Sequence, residues 1–319
     1  MPSTSTILKE IARAEQIRPY IRETPLDFSP FLSQQSGCDV YLKLENLQYT
    51  GSFKLRGAMN KLLSLTPAQR SKGVVAASSG NHGAAVAFGM KKLGVPGTIF
   101  VPEDASQIKV DAIRCQGVTV KFYGSDCVIA EHYARRFAEE NGMVYISPYN
   151  DLQVIAGQGT IAVELARQLD KIDTIFVALG GGGMISGIAI YLKSLFNDVQ
   201  IIACSPRNSA VMVESINAGR ILEMESLPTL SDGTAGGVEP GAITFDLCRR
   251  YVDDYIMVTE DEIKIAMCQF IETHHQLIEG AAGVAIAAFL KEKEKFKGKN
   301  VVIVICGANI SLQTLKSIL

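Results

Sequence analysis

The sequence predicts an α/β fold built mainly from parallel sheets. Short apolar runs, typical of strands buried on both faces, alternate along the chain with longer amphipathic segments, typical of helices. A length of 319 residues is about twice that of a common single domain, which indicates two lobes. The apolar runs expected to form strands cover residues 74–78, 97–101, 119–124, 143–147, 174–179, 200–205 and 300–306.

The composition argues against several classes of protein. Hydrophobic residues make up 47% of the chain and charged residues 20%, as in globular proteins that bury a sizeable core. With 31 basic and 33 acidic residues the formal net charge is −2, so we expect no nucleic acid and no anionic membrane surface as partner. The 7 cysteines include no C-x-x-C pair and no apolar leader precedes them, which predicts a reduced, cytoplasmic protein without a disulfide framework.

Residues 174–192 carry no charge and are nearly long enough to span a bilayer. Four consecutive glycines, Gly180 to Gly183, interrupt this stretch. A β-rich run precedes the glycines and a helix-like segment follows them, which predicts a buried strand, a turn and a buried helix. We therefore expect no membrane span here.

The glycine turn itself is a candidate binding site for phosphate. Gly180, Gly181, Gly182 and Gly183, followed by Met184, lie between a predicted strand and a predicted helix. Glycines let backbone N–H groups point inward, and the helix N-terminus adds a positive partial charge. The loop matches neither the P-loop nor the G-x-G-x-x-G pattern. The alternative is a tight turn required only by the packing of the strand against the helix.

A second polar turn follows the apolar run 74–78 and consists of Ser79, Gly80, Asn81, His82 and Gly83. It combines N–H donors, a hydroxyl, an amide and an imidazole within five residues, which makes it a second candidate functional turn; the mechanism implied by the resemblance described below would use it to hold the substrate carboxylate. The alternatives are a helix N-cap and, for the imidazole, a structural histidine. The other histidines show no spacing typical of metal ligands, and we predict no metal site.

A lysine and a cysteine complete the set of candidate residues. Lys54 lies between two apolar residues, Phe53 and Leu55, in a segment that begins a helix. It is either a surface charge or, if buried, a nucleophile with a lowered pKa that forms Schiff bases. Such a lysine combined with a separate phosphate loop is typical of pyridoxal phosphate enzymes. Cys306 ends the last predicted strand and either faces the pyridine nitrogen of such a cofactor or is an inert buried thiol.

Six motifs occur in the order found in serine racemases and serine/threonine dehydratases. They are T-G-S-F-K-L-R-G-A at 50–58, S-S-G-N-H-G at 78–83, V-I-A-G-Q-G-T at 154–160, G-G-G-G-M at 180–184, S-D-G at 231–233 and C-G-A-N at 306–309. Over nearly its whole length the chain thus resembles the fold-type II pyridoxal phosphate enzymes of the tryptophan synthase β class. The resemblance implies a two-lobe α/β fold, a homodimer and pyridoxal 5′-phosphate as cofactor. We predict a large cofactor-binding domain formed by residues 1–70 and 150–319, with a small domain, residues 71–149, inserted into it.

The resemblance also implies roles for individual residues. Lys54 would form the Schiff base with the cofactor, Phe53 would pack beside the cofactor, and Asn81 would hydrogen-bond its phenolic oxygen. The segment from Gly180 to Met184 would bind the cofactor phosphate, and Cys306 would contact the pyridine nitrogen. No aspartate is available at Cys306 to keep the ring protonated, which favours elimination over transamination.

The expected activity is conversion of L-threonine or L-serine to a 2-oxo acid and ammonia, with Lys54 removing the α-proton. Ser79 leaves a serine racemase open, because a serine here resembles the group that racemases place opposite the lysine. A 3-hydroxyaspartate dehydratase also stays open, whereas a non-catalytic cofactor-binding protein would be expected to lose the lysine. Mammalian-type racemases have a cation-binding glutamate where this chain has Ser205, and a glutamine that binds ATP where it has Ala84. The resemblance therefore does not extend to the cation site or to activation by ATP.

Overall fold

The computed structural model describes residues 2–319, which form two sheets with helices packed against them. The strands within this range are β1 (Leu26–Phe28), β2 (Asp39–Lys43), β3 (Val74–Ala77), β4 (Gly97–Val101), β5 (Thr119–Phe122), β6 (Val144–Tyr145), β7 (Thr174–Ala178), β8 (Gln200–Pro206), β9 (Asp254–Val258) and β10 (Asn300–Val304). The helices are α1 (Thr4–Ala14), α2 (Pro30–Ser36), α3 (Lys54–Leu63), α4 (Pro67–Lys72), α5 (Asn81–Leu93), α6 (Gln107–Arg114), α7 (Cys127–Glu140), α8 (Leu152–Gln168), α9 (Gly183–Leu195), α10 (Val211–Asn217), α11 (Ile243–Tyr251), α12 (Glu260–His274), α13 (Gly280–Glu292) and α14 (Leu312–Ile318).

The larger sheet has six strands in the order β1-β2-β10-β7-β8-β9. All its pairs are parallel except β1 with β2, which are antiparallel. Strands β7, β8 and β10 are almost wholly buried and belong to one hydrophobic core together with α9 and α13. Helices on both faces of a parallel sheet explain why these strands are continuous apolar runs.

The smaller sheet has four parallel strands in the order β5-β4-β3-β6, all between residues 74 and 145. Its main core lies between β3, β4, α5 and α3. Helix α3 packs on α5, which belongs to the core of the smaller sheet, and on α8, which contributes to the core of the larger sheet. It therefore lies between the two sheets.

The α/β prediction is confirmed, and each of the seven apolar runs contains a strand. Three strands, β1, β2 and β9, were missed; β2 and β9 each begin with an aspartate, and β1 is only three residues long. The expectation of burial on both faces is wrong for β5, since three of its four residues are exposed. This strand lies at the edge of the smaller sheet, where one side lacks a neighbouring strand.

The uncharged stretch 174–192 forms β7, the glycine turn and most of α9, as predicted. No helix within residues 2–319 is both long enough and apolar enough to cross a membrane.

A buried ion cluster holds α3 in place. The guanidinium of Arg56 donates to Glu45 at 2.8 Å and to Glu164 at 2.7 Å, and the amine of Lys43 donates to Glu164 at 2.6 Å. All four side chains are 0% exposed. Burial alone would raise the pKa of Glu164, but the charges of Arg56 and Lys43 outweigh it and lower the pKa to about 2. Glu164 is therefore ionised at neutral pH.

We predict that Arg56→Met lowers the free energy of unfolding by about 3–5 kcal/mol, because Glu45 and Glu164 would then be buried with too little positive charge. Urea denaturation of the purified protein measures this. The matched control is Arg136→Met, since Arg136 is 61% exposed and 3.9 Å from Glu140; its effect should stay below about 1 kcal/mol. Equal effects of the two substitutions would contradict the prediction.

Candidate active site

The sheet topology brings the predicted site segments together. In the larger sheet the chain runs outward from β7 to β8 and then to β9, and it returns to place β10 on the other side of β7. Such a switch point leaves a crevice at the carboxyl ends of the two strands. Gly180 follows β7 there, and Cys306 follows β10. The glycine loop and the cysteine are therefore neighbours for a topological reason.

Lys54 is the first residue of α3 and is held beside Cys306. The N–H of Phe53 donates to the carbonyl oxygen of Cys306 at 3.1 Å, which fixes the turn before the helix. The amine of Lys54 donates to the carbonyl oxygen of Pro148 at 2.9 Å and lies 5.3 Å from the centre of the Phe53 ring. Burial lowers the pKa of Lys54 from 10.5 to about 8, against the opposing charge of Glu279. Lys54 is half-buried, and its hydrogen bond to Pro148 argues against the alternative of a surface lysine.

The glycine loop is closely packed and leaves its N–H groups available. Gly182 has φ +82°, and a side chain on Gly181 would run into the ring of Tyr149. Helix α9 begins at Gly183 without a side-chain cap among the described residues. The N–H groups of its first turn therefore lack intrahelical acceptors and can bind an anion. The side chain of Met184 is 5% exposed and lies in the core, so only the backbone of this residue is available at the start of α9.

Glu279 is a site residue that the sequence analysis missed. It is 3% exposed, lies 3.9 Å from the thiol of Cys306 and accepts the N–H of Asn309 at 3.2 Å. The amide of Asn81 donates to both oxygens of this carboxylate at 2.9 Å. Burial raises the pKa of Glu279 and that of the Cys306 thiol. The carboxylate thus joins the start of α5 to the segment after β10.

A sequence signal for Glu279 exists. The residue directly precedes Gly280, the first residue of a helix whose residues are buried from there to Phe289. A charged residue at the start of such a helix has to be paired, because burying an unpaired carboxylate is costly.

The polar turn 79–83 lies at the carboxyl end of β3, opposite the segment after β6. The ring of His82 bonds the carbonyl oxygen of Ile146 through Nε2 at 2.9 Å. Burial and the charge of Lys54 lower the pKa of His82 to about 3, so the imidazole is neutral. A side chain on Gly83 would collide with the carbonyl oxygen of Ser78. Ser79 is half-buried, and its hydroxyl forms no hydrogen bond within residues 2–319.

Residues 17–307 match the family described as pyridoxal-phosphate dependent enzyme. The chain belongs to this family. Membership confirms the predicted cofactor, pyridoxal 5′-phosphate, and the predicted class of fold.

Individual members of this family are similar to the chain over most of its length. An L-threonine ammonia-lyase of Thermotoga maritima is 40% identical over 313 residues, which are 98% of this chain and 78% of that protein. The solved structure of a threonine deaminase isoform from Solanum lycopersicum superimposes with a TM-score of 0.95 at 34% identity, covering 99% of this chain and 92% of the other. A serine racemase of Dictyostelium discoideum superimposes with a TM-score of 0.89 at 38% identity, covering 96% and 99%.

The arrangement fits the cofactor of this family. The uncapped start of α9 supplies N–H donors for a phosphate, and a lysine with a lowered pKa supplies an amine for an aldehyde. Cys306 lies close enough to Lys54 for their charges to influence each other. The described residues contain no group of three or more side chains positioned to hold a metal ion.

The low pKa of Lys54 predicts how fast cofactor-free protein takes up pyridoxal 5′-phosphate. The neutral amine is the nucleophile, so the rate of uptake should increase with pH and reach half its maximum near pH 8. Stopped-flow absorbance at the wavelength of the bound cofactor measures the rate. Lys54→Ala should abolish the signal, and Lys91→Ala, an exposed lysine of α5, should leave it unchanged. A midpoint near 10.5, the ordinary lysine value, would contradict the prediction.

Proposed function

We propose that the protein eliminates water from L-threonine or L-serine and releases a 2-oxo acid and ammonia. The observation that carries this proposal is the half-buried amine of Lys54, whose pKa is lowered to about 8, together with the uncapped start of helix α9. The similarity to the L-threonine ammonia-lyase of Thermotoga maritima supports the same reaction.

The chain's own residues would hold the cofactor at two ends. The N–H groups of Gly180 to Met184 would bind its phosphate, and Lys54 would bind its aldehyde carbon. Phe53 would pack beside it, Asn81 would meet its phenolic oxygen, and Cys306 would lie at its pyridine nitrogen. When bound, pyridoxal 5′-phosphate supplies an electron sink that makes the α-proton of an amino acid acidic.

Lys54 is the proposed general base. Its pKa of about 8 lies close to neutral pH, so the amine both accepts and returns a proton at low cost. The neutral His82 cannot compete for that proton, because its own pKa is lowered to about 3. The proton of the α-carbon therefore goes to Nζ of Lys54.

The polar turn is the proposed carboxylate site. The N–H groups of Asn81, His82 and Gly83 belong to the first turn of α5, which has no side-chain cap among the described residues, and they would hold the substrate carboxylate. The N–H of Gly80 already donates to the hydroxyl of Ser78 at 3.1 Å. We also propose that residues 71–149 form the small domain and that closing it over this turn excludes water.

Serine racemisation is the second candidate, favoured by Ser79. Its half-buried hydroxyl is uncommitted within residues 2–319, so it is free to return a proton to the α-carbon from the face opposite the lysine. The similarity to the serine racemase of Dictyostelium discoideum supports this candidate. Elimination is preferred because the Ser79 hydroxyl has no hydrogen-bonded base to activate it, whereas burial tunes Lys54 toward neutral pH.

The proposal also covers the oligomeric state and the cellular location of the protein. We propose a homodimer, which sedimentation velocity tests, and a cytoplasmic location. The cysteines Cys38, Cys115, Cys127, Cys204, Cys248, Cys268 and Cys306 are all free, in agreement with a reducing compartment.

Purified holoenzyme should release 2-oxo acid from L-serine and L-threonine faster than it forms D-serine from L-serine. Lys54→Ala should abolish both activities, because no other base replaces its amine. Ser79→Ala should reduce D-serine formation and leave most of the 2-oxo acid release. Coupled absorbance and chiral chromatography measure the two products in one reaction. Dominant D-serine would establish the racemase instead, and the absence of both products would refute both candidates.

A further inference from the structure

An ion cluster spans the two sheets at the mouth of the site. Arg135 of α7 donates to Glu131 of the same helix at 2.7 Å and to Glu239 at 2.6 Å. Glu239 belongs to the segment between α10 and α11, which follows the larger sheet's β8. The cluster thus joins the helix that packs on the smaller sheet to a segment of the other part of the molecule.

The cluster lies next to the catalytic lysine and the glycine loop. The amine of Lys54 donates to the carbonyl oxygen of Pro148 at 2.9 Å, and Pro148 directly precedes Tyr149. The hydroxyl of Tyr149 accepts the N–H of Glu239 at 2.8 Å, and the ring of the same tyrosine covers Gly181. A substrate that reaches the amine of Lys54 would therefore lie close to these carboxylates.

The arginine of this cluster is not free to bind a substrate. One of its terminal nitrogens contacts both glutamates, and its planar face stacks on the ring of Tyr145 with a separation of 4.3 Å. An arginine is the side chain best suited to bind a second carboxylate, but here two carboxylates already occupy it. The three charged groups leave a net charge of −1.

The cluster instead offers an acceptor for a hydrogen-bond donor. One oxygen of Glu239, Oε1, is buried and has no partner among residues 2–319. An unsatisfied buried acceptor is costly, and a hydroxyl or ammonium group on the ligand would satisfy it. A carboxylate would be repelled by the same oxygen.

We propose that Glu131, Arg135 and Glu239 form the specificity wall of the active site, which accepts β-hydroxy amino acids with neutral or cationic side chains and rejects those with a second carboxylate. This inference rests on the proposed elimination reaction and narrows its substrate class. Of the dehydratase activities left open by the sequence, it excludes 3-hydroxyaspartate.

Kinetics of the holoenzyme test the wall. For the unmodified protein kcat/KM should be at least about 100-fold lower with L-threo-3-hydroxyaspartate than with L-serine. The double variant Glu131→Gln, Glu239→Gln removes both carboxylate charges that compete for Arg135. It should raise kcat/KM for L-threo-3-hydroxyaspartate relative to kcat/KM for L-serine at least about tenfold. Glu140→Gln is the matched control, because Glu140 lies on the same helix and is 65% exposed. An unchanged ratio in the double variant, or comparable constants in the unmodified protein, would overturn the inference.

A binding experiment separates this inference from the proposed reaction. L-aspartate has the second carboxylate but no β-hydroxyl, and L-alanine has neither. Calorimetric titration of the holoenzyme should detect L-alanine in all variants and L-aspartate in the double variant only. If the protein released no 2-oxo acid from any substrate, the proposed reaction would fail, and these titrations would still decide on the wall. Binding of L-aspartate to the unmodified protein as tight as that of L-alanine would overturn it, as would no gain in L-aspartate binding in the double variant.

Discussion

The buried ion pairs of the Arg56 guanidinium are the interaction on which the position of Lys54, the proposed catalytic base, depends. Its partners Glu45 and Glu164 come from the turn after β2 and from α8, so α3 is fixed against two separate parts of the chain. Residues two apart on a helix point about 200° away from each other around its axis. When Arg56 is directed into the ion cluster, Lys54 is therefore directed to the opposite side, into the crevice. A charged core position in this way determines the orientation of the reactive amine.

The two sheets contribute different halves of the site. The larger sheet supplies the glycine loop and Cys306 from the carboxyl ends of adjacent strands, and its backbone also fixes Phe53. The smaller sheet supplies the polar turn after β3, where His82 bonds the segment after β6. Glu279 is one direct link between them, since its carboxylate accepts hydrogen bonds from Asn81 at the start of α5. If the two sheets moved relative to each other, the hydrogen bonds between Asn81 and Glu279 would have to break, or Glu279 would have to move with Asn81.

The sequence was sufficient to predict those strands and turns that are encoded by a local pattern of residues. Runs such as 174–179 and 300–306 are apolar because both faces of the strand are covered, so their burial is visible in the residues themselves. Strand β2 ends in Lys43, which resembles a surface residue until its long-range partner Glu164 is known. Glu279 is a similar case, because its partner Asn81 lies 198 residues away. Polar residues paired across the fold are invisible to periodicity, and the motifs alone gave no role to Glu131, Glu239 or Tyr149.

Burial moves the titrating groups of the site toward their neutral forms. It lowers the pKa of Lys54 to about 8 and that of His82 to about 3, and it raises those of Glu279 and Cys306. Such side chains carry little charge with which to neutralise a phosphate or a carboxylate, which in the proposed site leaves that task to backbone N–H groups at the starts of α5 and α9. Of these groups, Lys54 has its pKa near neutral pH and His82 has its pKa far below it. The proposed proton transfer at the α-carbon would therefore depend on the amine of Lys54, and proton return from a second face would depend on the hydroxyl of Ser79, which has no hydrogen-bonded base to activate it.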